Sequence, residues 1–161
     1  MQIADKALGP RFYAIHGRLG DELYLWDGKD SGAAFVRTAM FSKWDKSLKL
    51  YLASDDPNHH FFKELKSKIE VVTANNLKGP EVDRFRNLFP NSRVMKDMFG
   101  VLDKLICTMG IGFMGSPFST FSSEIRVMRG TARYVFPELY ARRHNISATD
   151  TLAIRLKSGG K

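Results

Sequence analysis

The sequence predicts an α/β protein, a Rossmann-like parallel sheet flanked by helices. Three observations carry this expectation. Short apolar runs alternate with segments of helical spacing along most of the chain, the order that right-handed strand–helix–strand crossovers produce. The residues that follow the runs (His16-Gly17-Arg18, Ser54-Asp55, and Ser116 to Thr120) fall at the carboxyl ends of strands, where such sheets hold ligands. No internal repeat or low-complexity segment points to a solenoid or a disordered chain.

Arg11 to His16 reads as a buried strand, ended by Gly17 and Gly20. Asp27 to Gly32 is a loop by its turn residues, and Ala33 to Trp44 has helical spacing, with Phe35 and Ala39 on one side. Leu48 to Ala53 is a second strand, stopped by Ser54-Asp55-Asp56-Pro57. An acid before proline is also a helix start, and Phe61, Phe62 and Leu65 give the next helix an apolar face. Ile69 to Thr73 is a short strand. A polar connection through Asn75-Asn76 and Gly79-Pro80 leads to a short helix from Glu81 to Leu88. Met95 to Thr108 is helical through Met98, Val101, Leu102, Leu105 and Ile106, and Ile111 to Met114 is the last strand. A helix with Phe121, Ile125 and Met128 on one face follows.

The 161 residues are enough for one domain with its own core. No stretch approaches the roughly 20 apolar residues that span a bilayer, and the first residues lack the apolar core of a signal peptide. Cys107 is the single cysteine, so no internal disulfide can form, and its apolar neighbours make it a buried helix residue. The net charge is +8, of which +6 lies between Arg126 and Lys161. Such a basic end suits an anionic ligand, a nucleic acid or a membrane surface without choosing among them.

The segment Gly115 to Gly130 brings hydroxyl side chains and unpaired backbone amides to a strand-to-helix junction. The first amides of a helix lack internal partners and the dipole favours an anion, so a phosphate fits there. The plainer alternative is that Ser119 or Thr120 only caps the helix. Arg18, just past a strand end, can clamp a diphosphate bidentately, as lysine cannot. A surface pair with Asp21 or Glu22 is its alternative. His16 can donate to the same phosphate or simply pack. Asp103, sixteen positions ahead of Ser119 on an otherwise apolar helix, can accept from a ribose or base if it reaches the carboxyl edge, or be a solvated acid beside Lys104. Asp55, Asp56, His59 and His60 match no metal-ligand spacing, and capping of the Pro57 helix accounts for the acids. Walker motifs, nucleophile elbows and cysteine pairs are absent from the sequence.

Taken together, these motifs resemble the C-terminal half of the GDP-fucose protein O-fucosyltransferases. The resemblance rests on the strand ending His16-Gly17-Arg18, the strand Leu48 to Ala53 followed by Ser54-Asp55, the Asp103 helix, and Ser119-Thr120-Phe121-Ser122 running into Arg126 to Gly130. It covers roughly Arg11 to Gly130. It implies one half of a GT-B glycosyltransferase, with residues 1–145 as a GDP-sugar-binding domain and residues 146–161 as a partly disordered tail. Arg18 would hold the diphosphate and assist the leaving group with His16 beside it. Asp103 would contact guanosine, and Ser119, Thr120 and Phe121 would cradle phosphate and base. The implied reaction inverts the anomeric centre without a metal ion or other cofactor. GDP-fucose is the donor substrate, and the acceptor is a protein or a glycan.

Gly17 departs from the leucine usual in that family. The family's N-terminal domain, with its Gly-rich donor loop and acceptor groove, has no counterpart in these residues, so the expectation is donor binding that is incomplete for turnover. By the same resemblance the place of action is the endoplasmic reticulum or Golgi lumen, where the sequon Asn145-Ile146-Ser147 could be glycosylated. Two other readings stand beside it: a non-catalytic basic module for nucleic acid or another polyanion, and a relative of the α1,6-fucosyltransferases.

Overall fold

A computed structural model of the chain describes residues 2–20, 36, 39–88, 92–116 and 119–129. The expected loop at Asp27 to Gly32, most of the expected helix from Ala33, the basic segment beyond Gly130 and the boundary at residue 145 lie outside these residues. The chain divides into two compact units, Met1–Met114 and Gly115–Lys161, and each is described by itself.

The first unit is built on a parallel four-stranded sheet in the order β3-β2-β1-β4. Its strands are β1 (Phe12–Gly17), β2 (Lys49–Ser54), β3 (Val71–Val72) and β4 (Gly112–Gly115). β1 is buried along its whole length, as a parallel strand covered on both faces must be. Its register against β2 runs from Phe12 opposite Lys49 to Gly17 opposite Ser54. β3 pairs only Val71 with Leu50 and Val72 with Tyr51, shorter than the expected Ile69 to Thr73. The chain moves outward from β1 through β2 to β3 and then returns to place β4 on the other side of β1. That reversal is a topological switch point, and ligands of open α/β sheets bind outside the carboxyl ends of strands at such points.

Helices cover the sheet. α1 (Gln2–Leu8) buries Ala4 and Leu8, and Lys49 Nζ on β2 donates to its Ala7 carbonyl at 3.0 Å. α2 (Ala39–Ser42) leads into Trp44, whose ring stacks on Tyr13 with centroids 4.3 Å apart. After β2 the helix does not start at Pro57. Asp56 closes a turn there, its carboxylate accepting from the Asn58 amide and its carbonyl from His59. His59 Nδ1 instead accepts from Phe61 N–H at 3.2 Å and caps a 3₁₀ turn, His60–Phe62, that continues into α3 (Lys63–Lys68). Phe61, Phe62 and Leu65 are buried, as their spacing predicts.

α4 (Pro80–Leu88) precedes the long α5 (Ser92–Met109), which packs on β1 and β2. The face α5 buries differs from the expected one. Ile106 and Cys107 are buried, whereas Val101 and Leu105 are about half exposed, at 48% and 50%. The cause is Tyr51, whose hydroxyl sits within the sheet's core and takes Asp103 of α5 as its partner. A buried phenol without an acceptor is costly, so the helix turns its acid inward with Cys107 four residues on.

β4 approaches this layer closely. A Cβ on Gly112 would lie 3.0 Å from Tyr13 Cδ1 and 3.1 Å from Trp44 Nε1, so the stacked pair fills the space that a side chain would need. In the second unit, α6 (Thr120–Met128) follows Ser119. Ile125 is buried and Phe121 half-buried, but Met128 is exposed. No helix among the described residues is long and apolar enough to cross a membrane.

Candidate functional site

The carboxyl end of β1 carries the first group of expected residues. His16, opposite Ala53, is buried. Arg18 follows the last strand residue, Gly17, and is exposed. Its suggested surface partners Asp21 and Glu22 lie outside the described residues. The next two amides go to Asp55, the first residue past β2. Leu19 N–H donates to Oδ1 and Gly20 N–H donates to Oδ2, both at 2.9 Å. Asp55 is therefore no helix cap. Its carboxylate joins the two loops that leave β1 and β2.

Burial alone would raise the Asp55 pKa. The N–H groups of Leu19, Gly20 and Asp55 itself, helped by the charge of Arg18, outweigh it and hold the carboxyl below the ordinary aspartate range. A carboxylate thus occupies the amides that an outside anion would otherwise use at this strand end. The guanidinium of Arg18 is the cationic group placed immediately beside them in the chain.

Asp103 sits elsewhere in the same unit. Its Oδ1 accepts from the Tyr51 hydroxyl at 2.5 Å. Tyr51 is fully buried and stands three residues before Ser54, where β2 ends. Burial raises the Asp103 pKa to about 6, and the bond from Tyr51 lowers it only in part. Burial and the neighbouring acid together push the Tyr51 phenol well above its usual range. The structure brings Arg18 and Asp55 together, and Asp103 and Tyr51 together, as two separate pairs.

In the second unit, Ser119 has extended backbone angles and caps α6. Its Oγ accepts from Ser122 N–H over a long 3.5 Å, and its carbonyl from Ser123 N–H at 3.0 Å. Thr120 is exposed and Phe121 half-buried. Ser116, Ser119, Ser122 and Arg126 are all buried, an unusual run of polar residues for the inside of a protein. Nη2 of Arg126 reaches back to Ser123 Oγ at 3.3 Å, as side chains on a helix lean toward its N-terminus. The cap alternative for Ser119 is what the geometry shows.

The rings of His59 and His60 lie 4.2 Å apart between centroids, tilted by 35°. Among the described residues no group of three or more His, Cys, Asp or Glu is arranged to hold a metal ion. Cys107 is buried.

Three functional candidates escaped the sequence reading: Asp55 as a clamp, Tyr51 as the partner of Asp103, and buried Arg126. Only Arg126 left a local signal, since it lies seven residues after Ser119 on the same helical face. Compared with known proteins, the chain matches no family model and no curated protein sequence.

Proposed function

We propose that this chain is the donor-binding half of an inverting, metal-independent O-fucosyltransferase that takes GDP-fucose and delivers fucose to a protein or glycan acceptor. The observation that carries this reading is Arg18, an exposed arginine leaving β1 beside the switch point of a Rossmann-like sheet. A diphosphate is the ligand that this position and this fork of donors suit. The motif resemblance to the O-fucosyltransferases narrows the ligand to GDP-fucose.

In the proposed reaction an acceptor hydroxyl attacks the anomeric carbon from the face opposite GDP. The bond between that carbon and the β-phosphate oxygen breaks, and GDP leaves with the electron pair. Negative charge grows on the departing phosphate, so Arg18 binds the transition state more strongly than the bound donor. The acceptor's proton passes to a base outside this half. His16 supports Arg18 from the buried strand end. Asp103, held at Oδ1 by Tyr51, would accept from guanosine through Oδ2. The motif resemblance, read from the sequence, assigns Ser119, Thr120 and Phe121 to phosphate and base as well.

Thermal unfolding in the presence of nucleotides tests the reading. A ligand that binds only the folded chain stabilises it by about 2.7 kcal/mol at a hundred times its Kd. GDP and GDP-fucose are expected to raise the melting temperature of the wild-type chain much more than that of Arg18→Ala, and ADP to do so less than GDP. Equal shifts for wild type and Arg18→Ala would count against it.

A further inference from the structure

We propose that Asp55 is the positioning residue of the diphosphate site, holding the loop after β1 so that Arg18 is presented in one orientation. The inference rests on the donor-binding reading above and adds a residue to it.

The two N–H···O bonds from Leu19 and Gly20 use both carboxylate oxygens, so the carboxylate grips consecutive peptide units across 36 and 35 residues of sequence. On its other side Arg18 follows Gly17, which the ladder holds opposite Ser54. The backbone of Arg18 is therefore fixed by the sheet before it and by Asp55 after it. Leu19 adds a buried side chain to the same anchorage. Gly20 shows how close the fit is: a Cβ there would meet Oδ2 at 3.1 Å and come within 4.0 Å of Arg18 Nε. The carboxylate and the arginine thus converge on one glycine. Misplacement of a clamping group by about 1 Å can cost on the order of a hundredfold in a reaction that depends on orientation.

Simple electrostatics makes the opposite prediction. Asp55 carries a negative charge beside the place proposed for a diphosphate, and neutralising it should strengthen anion binding if charge alone mattered. The sign of the change therefore separates positioning from charge.

The experiment titrates GDP into the wild-type chain, Asp55→Asn, Gly20→Ala, Arg18→Ala and the double variant Arg18→Ala/Asp55→Asn, with melting temperatures and amide exchange at Leu19 and Gly20 recorded for each. Asp55→Asn keeps the shape but loses one acceptor, so affinity should fall on the order of tenfold and exchange at Leu19 and Gly20 should speed up. Gly20→Ala, on an exposed residue, displaces the carboxylate without removing its charge and should act in the same direction. In the Arg18→Ala background, Asp55→Asn should change GDP affinity no further, because the two act as one unit.

Unchanged or tighter binding by Asp55→Asn and Gly20→Ala, with Arg18→Ala still impaired, would overturn the role of Asp55 and leave the donor reading standing. An equal loss from Asp55→Asn in both backgrounds would overturn it too, as a general structural effect. A wild-type chain that binds no GDP would overturn the donor reading and this inference with it.

Discussion

The Tyr51 hydroxyl donates a 2.5 Å hydrogen bond to Oδ1 of Asp103, joining the middle of β2 to the buried face of α5. Because burial raises the Asp103 pKa to about 6, folding keeps a proton on this acid that the unfolded chain releases near pH 3.9. Stability from this group is fully present below about pH 4 and is lost as the pH rises through about 6, by up to roughly 3 kcal/mol. Asp103→Asn is expected to remove that fall, so the variant gains stability relative to wild type between pH 4.5 and 7. Urea unfolding at the two pH values measures it, and parallel curves would contradict the assignment.

Tyr51→Phe takes away the donor and leaves a buried carboxylate unsatisfied. The expected cost at pH 7.5 is about 1–3 kcal/mol, and less at pH 4.5, where the acid is protonated. A cost independent of pH would show that the bond to the charged form contributes little.

The same acid has a role in the proposed site, and the two roles pull against each other. If Oδ2 accepts from guanosine, binding needs the ionised form, which the fold resists. GDP affinity should then fall as the pH drops through about 6, and Asp103→Asn should weaken GDP more than inorganic pyrophosphate. Equal weakening of both ligands would remove Asp103 from nucleoside recognition.

Gly112 allows β4 to lie against the Tyr13–Trp44 stack. Gly112→Ala places a methyl group where both rings already stand, and overpacking of this kind costs typically about 1–3 kcal/mol. The melting temperature should fall by several degrees, with a change in the near-ultraviolet signal of Trp44. An unchanged melting curve would mean that the stack moves freely.

Ser119 separates capping from phosphate contact. Ser119→Ala removes the cap and should cost about 0.5–2 kcal/mol in the stability of its helix. Ser119→Asp retains an equally good cap but adds a charge at the helix start that the motif resemblance assigns to phosphate, so on that reading it should keep stability and lose GDP affinity. If Ser119→Asp binds GDP like wild type, the helix start serves only the fold.

Much of the sheet is readable along the chain because parallel strands buried on both faces are apolar runs, as in Phe12 to Ile15 and Leu50 to Ala53. α1 is not, since among its described side chains Ala4 and Leu8 are the buried ones, and two such contacts make no period. The inward face of α5 is misread for another reason: Tyr51 draws Asp103 into the core, and hydrophobic spacing cannot report a polar pair 52 residues apart. Arg18 and Ser119 are visible in the sequence because each sits on a local junction. Asp55 looks like a helix cap by its neighbours Asp56 and Pro57, while its actual partners, Leu19 and Gly20, are distant in sequence.

Whether Arg18 belongs to a diphosphate site is decided by a calorimetric titration of GDP into the wild-type chain and Arg18→Ala at physiological salt. Saturable heat with one GDP per wild-type chain is expected, with binding by Arg18→Ala much weaker but still measurable. No heat from the wild-type chain at high micromolar GDP, or identical binding by the two proteins, would contradict that role.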